Sequence, residues 1–415
     1  MGRNKIIVLM ILITWFVISF VTNILGPIMP AIIDNYQLSL TMASFLPFSF
    51  FLAYGIMSIP AGVMIERIGE KRSMLVAFLL TLSGSAIFAF IPTYSMALVS
   101  LFILGIGMAM LQVIINPLMR AAAGEEHFAF YSVLGQLVFG AASFVSPKVY
   151  TYLVGQLEPT AKMNAVKSFF MGRIPDALPW ISLYWIFTVL FIVMLVFIAV
   201  LKFPKVELQE DEKTSSKQEY MSLLKKPLVW MFTLGIMAYV GTEQGLANWM
   251  SQFLSQYHGV DPVKVGADVV GTFWGNMSIG CLVGLLLLKL LDSQLVLKCF
   301  TISSMVALGV ALFGSAEAAV LSFKVLGFLI SVMFSIIFSL ALNSYTNNPG
   351  AFSGILCSGI FGGALVPMII GTLGDVIGLR IAMMFLFITL SYILFIAFYA
   401  KPEIKNKTIF SNKNK

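Results

Sequence analysis

Charge is scarce in this 415-residue chain: only 11% of residues are Asp, Glu, Lys or Arg, while 59% are hydrophobic. An ordinary soluble domain carries roughly 25% charged residues. A soluble fold of this length needs far more polar surface, and intrinsic disorder needs far fewer apolar residues. Histidine is almost missing, with His127 and His258 far apart in or near loops. The three cysteines, Cys281, Cys299 and Cys357, sit in apolar segments without Cys-x-x-Cys spacing. They read as packing residues rather than disulfide partners or metal ligands, and no metal site is expected. The sequence has no Gly-x-x-x-x-Gly-Lys-Ser/Thr loop, no His-Glu-x-x-His and no Gly-x-Ser-x-Gly. Gly105-x-Gly107 is half of a dinucleotide fingerprint, but no strand precedes it. No enzyme activity and no cofactor are therefore expected, and ATP-driven transport would need a separate subunit.

What the chain does contain is long apolar runs. An apolar helix needs about 20 residues to span a bilayer. Runs bounded by charges and prolines predict twelve helices at about 6–33, 41–65, 73–91, 95–120, 127–153, 180–202, 227–256, 262–289, 293–313, 317–345, 350–375 and 378–400. The expected class is an all-α polytopic membrane protein. The polar stretch 203–226 lies near the midpoint and reads as a solvated linker. It divides an N-terminal six-helix bundle, 1–202, from a C-terminal one, 227–400, with a tail at 401–415. The first apolar run continues past Pro27 and Pro30, so it reads as a spanning helix rather than a signal peptide. With the N-terminus inside, 19 of the 26 Lys and Arg residues fall on the inner side. This bias places both termini and the linker in the cytoplasm and the protein in the cytoplasmic (inner) membrane. It also accounts for the net charge of +7 with the bilayer, and no nucleic acid, as partner.

Two segments share the spacing Gly-x-x-x-[Asp/Glu]-x-x-Gly: Gly62 to Gly69, with Glu66, and Gly371 to Gly378, with Asp375. They follow predicted helices 2 and 11, equivalent ends in a fold of nested inverted repeats. The segment Gly62-Val-Met-Ile-Glu66-Arg67-Ile-Gly69-Glu70-Lys71-Arg72 resembles the signature loop between helices 2 and 3 of the major facilitator superfamily. That resemblance implies two six-helix bundles with a substrate site between them near mid-membrane. It assigns Gly62, Glu66, Arg67, Gly69, Arg72 and Asp375 to conformational gating. Further runs are similar to the fucose/glucose–galactose symporter family within it. They are Met110-Leu-Gln112-Val-Ile-Ile-Asn116-Pro117, Tyr239-Val-Gly241-Thr-Glu243, Ser331-Val-Met-Phe334-Ser-Ile-Ile-Phe338-Ser339, and Ser353 to Pro367 followed by Gly371 and Asp375. Two departures stand out. The family's helix 1 usually carries a carboxylate where, counting back from Pro30, this chain has Gly26. Its helix 8 usually carries Gly-Arg where this chain has Gly280-Cys281.

Glu243 is the one carboxylate well inside an apolar run, about 24 Å along its helix from Pro227. Such acids are costly and read as functional by default, here as a coupling residue; a paired structural role is the alternative. Asp268 lies nearer the surface and reads as structural. Gln112 and Asn116 share a helix face, as do Gln244 and Asn248. Amides donate and accept, which suits sugar hydroxyls; interhelical hydrogen bonding is the alternative. Asn23, Gln136, Trp274 and Asn276 complete the candidate substrate site. The expectation is a secondary transporter, monomeric, that takes up a hexose-like sugar with a proton or sodium ion by alternating access. Export of amphipathic compounds and facilitative uniport on the same fold are the alternatives.

Overall fold

The computed structural model describes residues 5–123, 125–158, 161–203, 217–345 and 349–402. The linker residues 204–216, the tail from residue 403, and the side chains of Glu66 and Asn116 lie outside the described residues.

With no water in hydrocarbon, each spanning segment must satisfy its own backbone, and the described chain does so with helices. In the N-terminal half these are α1 (Lys5–Tyr36), α2 (Leu40–Ile68), α3 (Glu70–Phe90), α4 (Tyr94–Ala123), α5 (Glu125–Leu157) and α6 (Ser182–Val200). The second half has α7 (Pro227–His258), α8 (Ala267–Leu290), α9 (Ser293–Phe313), α10 (Ala316–Ser344), α11 (Phe352–Ile377) and α12 (Leu379–Tyr399). Among the described residues, eleven helices are long and apolar enough to cross a membrane. The twelfth helix, α7, has 32 residues but carries Thr242, Glu243, Gln244 and Asn248 along its length. The fold is that of a polytopic α-helical membrane protein with two six-helix bundles. The polar stretch between α5 and α6 does not span; its described residues include the short helix Ala165–Phe170, capped by Asn164, and a 3-10 turn at Pro179–Ile181.

Because consecutive helices run antiparallel, the chain has two faces. Lys5, the α2–α3 and α8–α9 turns, and the ends of α6 and α12 lie on one, called here the N-terminal face. The α1–α2, α7–α8, α9–α10 and α11–α12 turns lie on the far face. Short polar caps set several of these ends: Ser39, Asp261, Asp292 and Ser315 each accept from backbone amides of the next turn. The two Gly-x-x-x-[Asp/Glu]-x-x-Gly segments end alike. Gly69 (φ 79°) stops α2 and Gly378 (φ 83°) stops α11, each in a left-handed conformation that glycine adopts freely. The sequence echo thus has a common backbone geometry.

Three helices are interrupted near their middles. α1 breaks at Asn23–Ile24, where Pro27 has no N–H to give to the Asn23 carbonyl. α10 breaks at Ser331–Val332 and α11 narrows to a 3-10 turn over Gly359–Phe361. Within the bundles, α2 and α3 pack on α4, and α8 and α9 pack on α10. Between bundles, α2 packs on α11, α5 on α8, and the second half of α1 on α7. Glycines make these crossings close. A Cβ on Gly26 would meet the Ala247 carbonyl oxygen, and one on Gly371 would meet the Leu40 carbonyl at 2.6 Å. Gly271 and Gly275 face Phe144 of α5, while Gly280 and Gly284 face Ser331 and Val332 of α10.

Candidate functional site

A cavity of about 440 Å³ lies between the bundles, in the size range of small-molecule sites. All three helix interruptions border it, through Thr22 and Asn23, Ser331 and Val332, and Ile360. Interrupted membrane helices free backbone groups where they line a cavity rather than lipid. The lining also includes Leu282, Leu285 and Leu288, successively nearer the N-terminal face along α8. The cavity therefore extends from mid-membrane toward that face.

The far face is shut above it. Asp375, near the end of α11, accepts from the backbone N–H groups of Leu40 (2.9 Å) and Thr41 (2.8 Å) at the start of α2. A carboxylate on the first-turn amides of a helix satisfies donors that have no intrahelical partner and complements the helix dipole. At the opposite edge, Asp268 of α8 binds Lys148 of α5 (3.5 Å) and Lys324 of α10 (2.8 Å). Thr151 of α5 donates to the Val263 carbonyl beside it, at 2.8 Å. Each bundle thus contributes a polar clasp to the other on the far face.

Of the sequence-selected amides, Asn23, Gln112, Gln136 and Gln244 border the cavity, as do Trp274 and Glu243. Asn23 Nδ2 donates to Ser143 Oγ at 2.8 Å, tying α1 to α5. Gln244 Nε2 donates to Glu243 Oε1 at 3.1 Å, and Tyr239, one turn earlier, is hydrogen-bonded to the same carboxylate. Asn248 lies elsewhere. Its amide donates to the Gln244 carbonyl at 2.8 Å, and it borders a small separate void with Phe50, Leu101 and Tyr184. Asn276 also lies off the cavity, donating to the Lys324 carbonyl at 2.9 Å. The expectation that eight residues form one site therefore meets a structure that brings five of them together, sets Asn248 and Asn276 apart, and does not describe the Asn116 side chain.

The structure adds residues that were not selected from sequence: Trp15, Phe51, Tyr54, Tyr239, Ser278 and Ser335. Tyr239 and Ser335 stood inside segments already quoted. Trp15 and Tyr54 are aromatic side chains with a polar tip inside apolar runs, a combination that marks groups bridging apolar and wet surroundings. Two buried polar atoms at the cavity have no protein partner, Trp274 Nε1 and Thr22 Oγ1, and Trp274 is only 3% exposed. Cys281, in the place of the resembled family's arginine, lines the same cavity.

On the N-terminal face, Arg67 and Arg72 are exposed at the α2–α3 turn, and open space surrounds Gly62 and Gly69. Lys71, between them, donates to the Ala199 (2.8 Å) and Leu201 (2.7 Å) carbonyls at the end of α6. Capping a helix C-terminus with a cation is favourable. The sequence places this lysine in the loop; its carbonyl partners on α6 are visible only in the structure.

The sequence profile of the Major Facilitator Superfamily matches residues 11–359. The chain belongs to that superfamily. Its relatives include the glucose/galactose transporter of Brucella abortus, 31% identical over 392 residues, covering 92% of this chain and 90% of that protein. The L-fucose-proton symporter of Escherichia coli is 23% identical over 399 residues, covering 91% and 89%. The fold is shared with solved structures of the superfamily. A crystal structure of the E. coli fucose:proton symporter aligns with a TM-score of 0.68 at 18% identity, covering 96% of this chain and all of that one. An inward-facing, occupied bacterial homologue of the human lysosomal transporter Spinster aligns at 0.75 with 14% identity, covering 97% and 98%. Membership of that superfamily, with transporters as its relatives over some nine-tenths of the chain, places it among membrane transporters rather than enzymes.

Proposed function

We propose that this superfamily member takes up a hexose-class sugar across the cytoplasmic membrane by alternating access, coupled to a proton or sodium ion. The observation that carries the reading is the central cavity. It sets the amides of Asn23, Gln112, Gln136 and Gln244 among Trp15, Tyr54 and Trp274. Amides pair with hydroxyls in both directions, and aromatic faces pack against the C–H face of a sugar ring. Export of amphipathic compounds would favour a cavity with fewer amides. The names of the Brucella and E. coli relatives agree with a sugar substrate. Orientation with both termini cytoplasmic is supported by the Lys/Arg asymmetry. The test is uptake of radiolabelled glucose and galactose into proteoliposomes under an imposed proton or sodium gradient. Accumulation that collapses when one of those gradients is removed is expected; absence of any sugar flux under both gradients would overturn the reading.

Within this reading, Gln112 and Gln244 hold the sugar from opposite bundles. Removing one donor to a buried hydroxyl costs about 1–3 kcal/mol. Gln112→Ala and Gln244→Ala should each weaken hexose binding about 5- to 150-fold, measured by titration calorimetry on the purified protein. Unchanged affinity in both would return these amides to packing.

Asp375 serves as the far-face clasp, deepening the gating role that its motif suggested. Asp375→Ala leaves the Leu40 and Thr41 amides without their carboxylate, a change comparable to losing a helix cap, about 1–2 kcal/mol. The population open on the far face should rise about tenfold. Spin labels at the exposed positions Asp176 and Glu317, one in each bundle, would read this as a longer distance. An unaltered distance distribution would remove Asp375 from gating.

A further inference from the structure

The charge balance of the cavity points to a narrower substrate class, and this inference rests on the sugar reading above. Glu243 is the only carboxylate among the described lining residues, and no Lys, Arg or His stands with it. Cys281 of α8 stands on the same lining and brings no cation to it. What remains is a cavity with one fixed carboxylate and no built-in counter-ion. Its two recorded partners, Tyr239 and Gln244, are neutral. An ionised carboxylate inside a membrane protein is costly without a cationic partner.

The aromatic residues sharpen the point. Trp15, Tyr54, Tyr239 and Trp274 border the same space. Aromatic faces attract ammonium groups as well as sugar C–H surfaces. Trp274 Nε1 and Thr22 Oγ1, on residues that line the cavity, are buried without a partner among the described residues.

We propose that the cavity takes hexosamines, sugars bearing a protonated primary amine, with the ammonium on Glu243 and the ring hydroxyls on the surrounding amides. The ammonium supplies at Glu243 the positive charge that a co-transported cation supplies when the sugar is neutral. An acylated amine cannot do this, because an amide carries no charge and adds bulk. An acidic sugar is disfavoured by like charge.

The test compares D-glucosamine, N-acetyl-D-glucosamine and D-glucose by titration calorimetry on the purified full-length protein at about pH 6, where a primary amine of this kind is protonated. Glucosamine should bind about tenfold or more tightly than either neutral sugar, the advantage of a charge-assisted hydrogen bond over a neutral one. In Glu243→Gln that advantage should vanish. Glucosamine binding no tighter than glucose in the unaltered protein would overturn the inference and leave the hexose reading standing. An advantage that survives in Glu243→Gln would also overturn it. Binding of none of the three would overturn both. The comparison among sugars on the unaltered protein decides the matter even if the variant does not fold.

Discussion

Glu243→Gln should abolish accumulation of a neutral hexose while leaving sugar-for-sugar exchange across the membrane within a few-fold of normal. The substitution is nearly isosteric. The amide that replaces the carboxylate can accept from Gln244 Nε2 through its oxygen and donate to the Tyr239 hydroxyl oxygen through its nitrogen, so the cavity keeps its shape. What disappears is the group that can be neutral in one state and anionic in another, or can give an anionic oxygen to sodium. No second carboxylate lines the described cavity, so no substitute is at hand. Exchange needs only reorientation of the loaded protein, whereas accumulation needs the coupled ion. Proteoliposomes loaded with unlabelled sugar measure the first, and an imposed gradient measures the second. Accumulation that persists at the normal level in Glu243→Gln would leave the transporter without a coupling residue at this position.

Gly26→Asp carries the second large effect. It restores the acid that the resembled family has in helix 1, yet it should inactivate this chain. A Cβ at Gly26 lands on the Ala247 carbonyl oxygen, with the carbonyl carbon 2.9 Å away. The α1–α7 crossing at the far side would have to separate to admit it. Overpacking of this kind costs about 1–3 kcal/mol, and a buried, unpaired carboxylate costs several more. Far-face closure should become the disfavoured state. Uptake should fall below about a tenth of normal, by the tenfold-per-1.4 kcal/mol rule, and the label distance between positions 176 and 317 should lengthen. Gly26→Ala meets the same carbonyl without the charge and should show a milder form of the defect. Normal uptake in Gly26→Asp would mean that the two helices do not approach so closely.

The spanning helices were legible because hydrocarbon demands long apolar runs, and their ends follow charges and prolines. Pro27 accounts for the interruption of α1, since a missing N–H leaves a carbonyl free, but its apolar run reads as one continuous helix. The break of α10 at Ser331–Val332 carries no such residue and was not legible. Periodicity placed Gln244 and Asn248 correctly on one face. It could not tell that Asn248 spends its amide on the Gln244 carbonyl and lies beside a different void. Gln112, Asn23 and Glu243 were found because polar side chains inside apolar runs are few. Trp15 and Tyr54 were not, because a helical period separates buried from lipid-facing residues but does not distinguish packing within a bundle from facing the other bundle. The Asp375 clasp was visible only as a motif echo. Its partners are backbone amides 334 and 335 residues away, which no local pattern can reveal.

The site assignment is tested most directly at Cys281. This thiol borders the cavity, and Cys299→Ser with Cys357→Ser leaves it as the sole cysteine. With the purified protein in proteoliposomes, the rate of its alkylation by a small membrane-permeant maleimide reads the occupancy of the cavity. Glucose or glucosamine at about ten times its dissociation constant leaves roughly a tenth of the sites empty and should slow alkylation about tenfold, while a sugar that is not transported should not. An alkylation rate unchanged by a saturating, transported sugar would contradict a binding site between the two bundles.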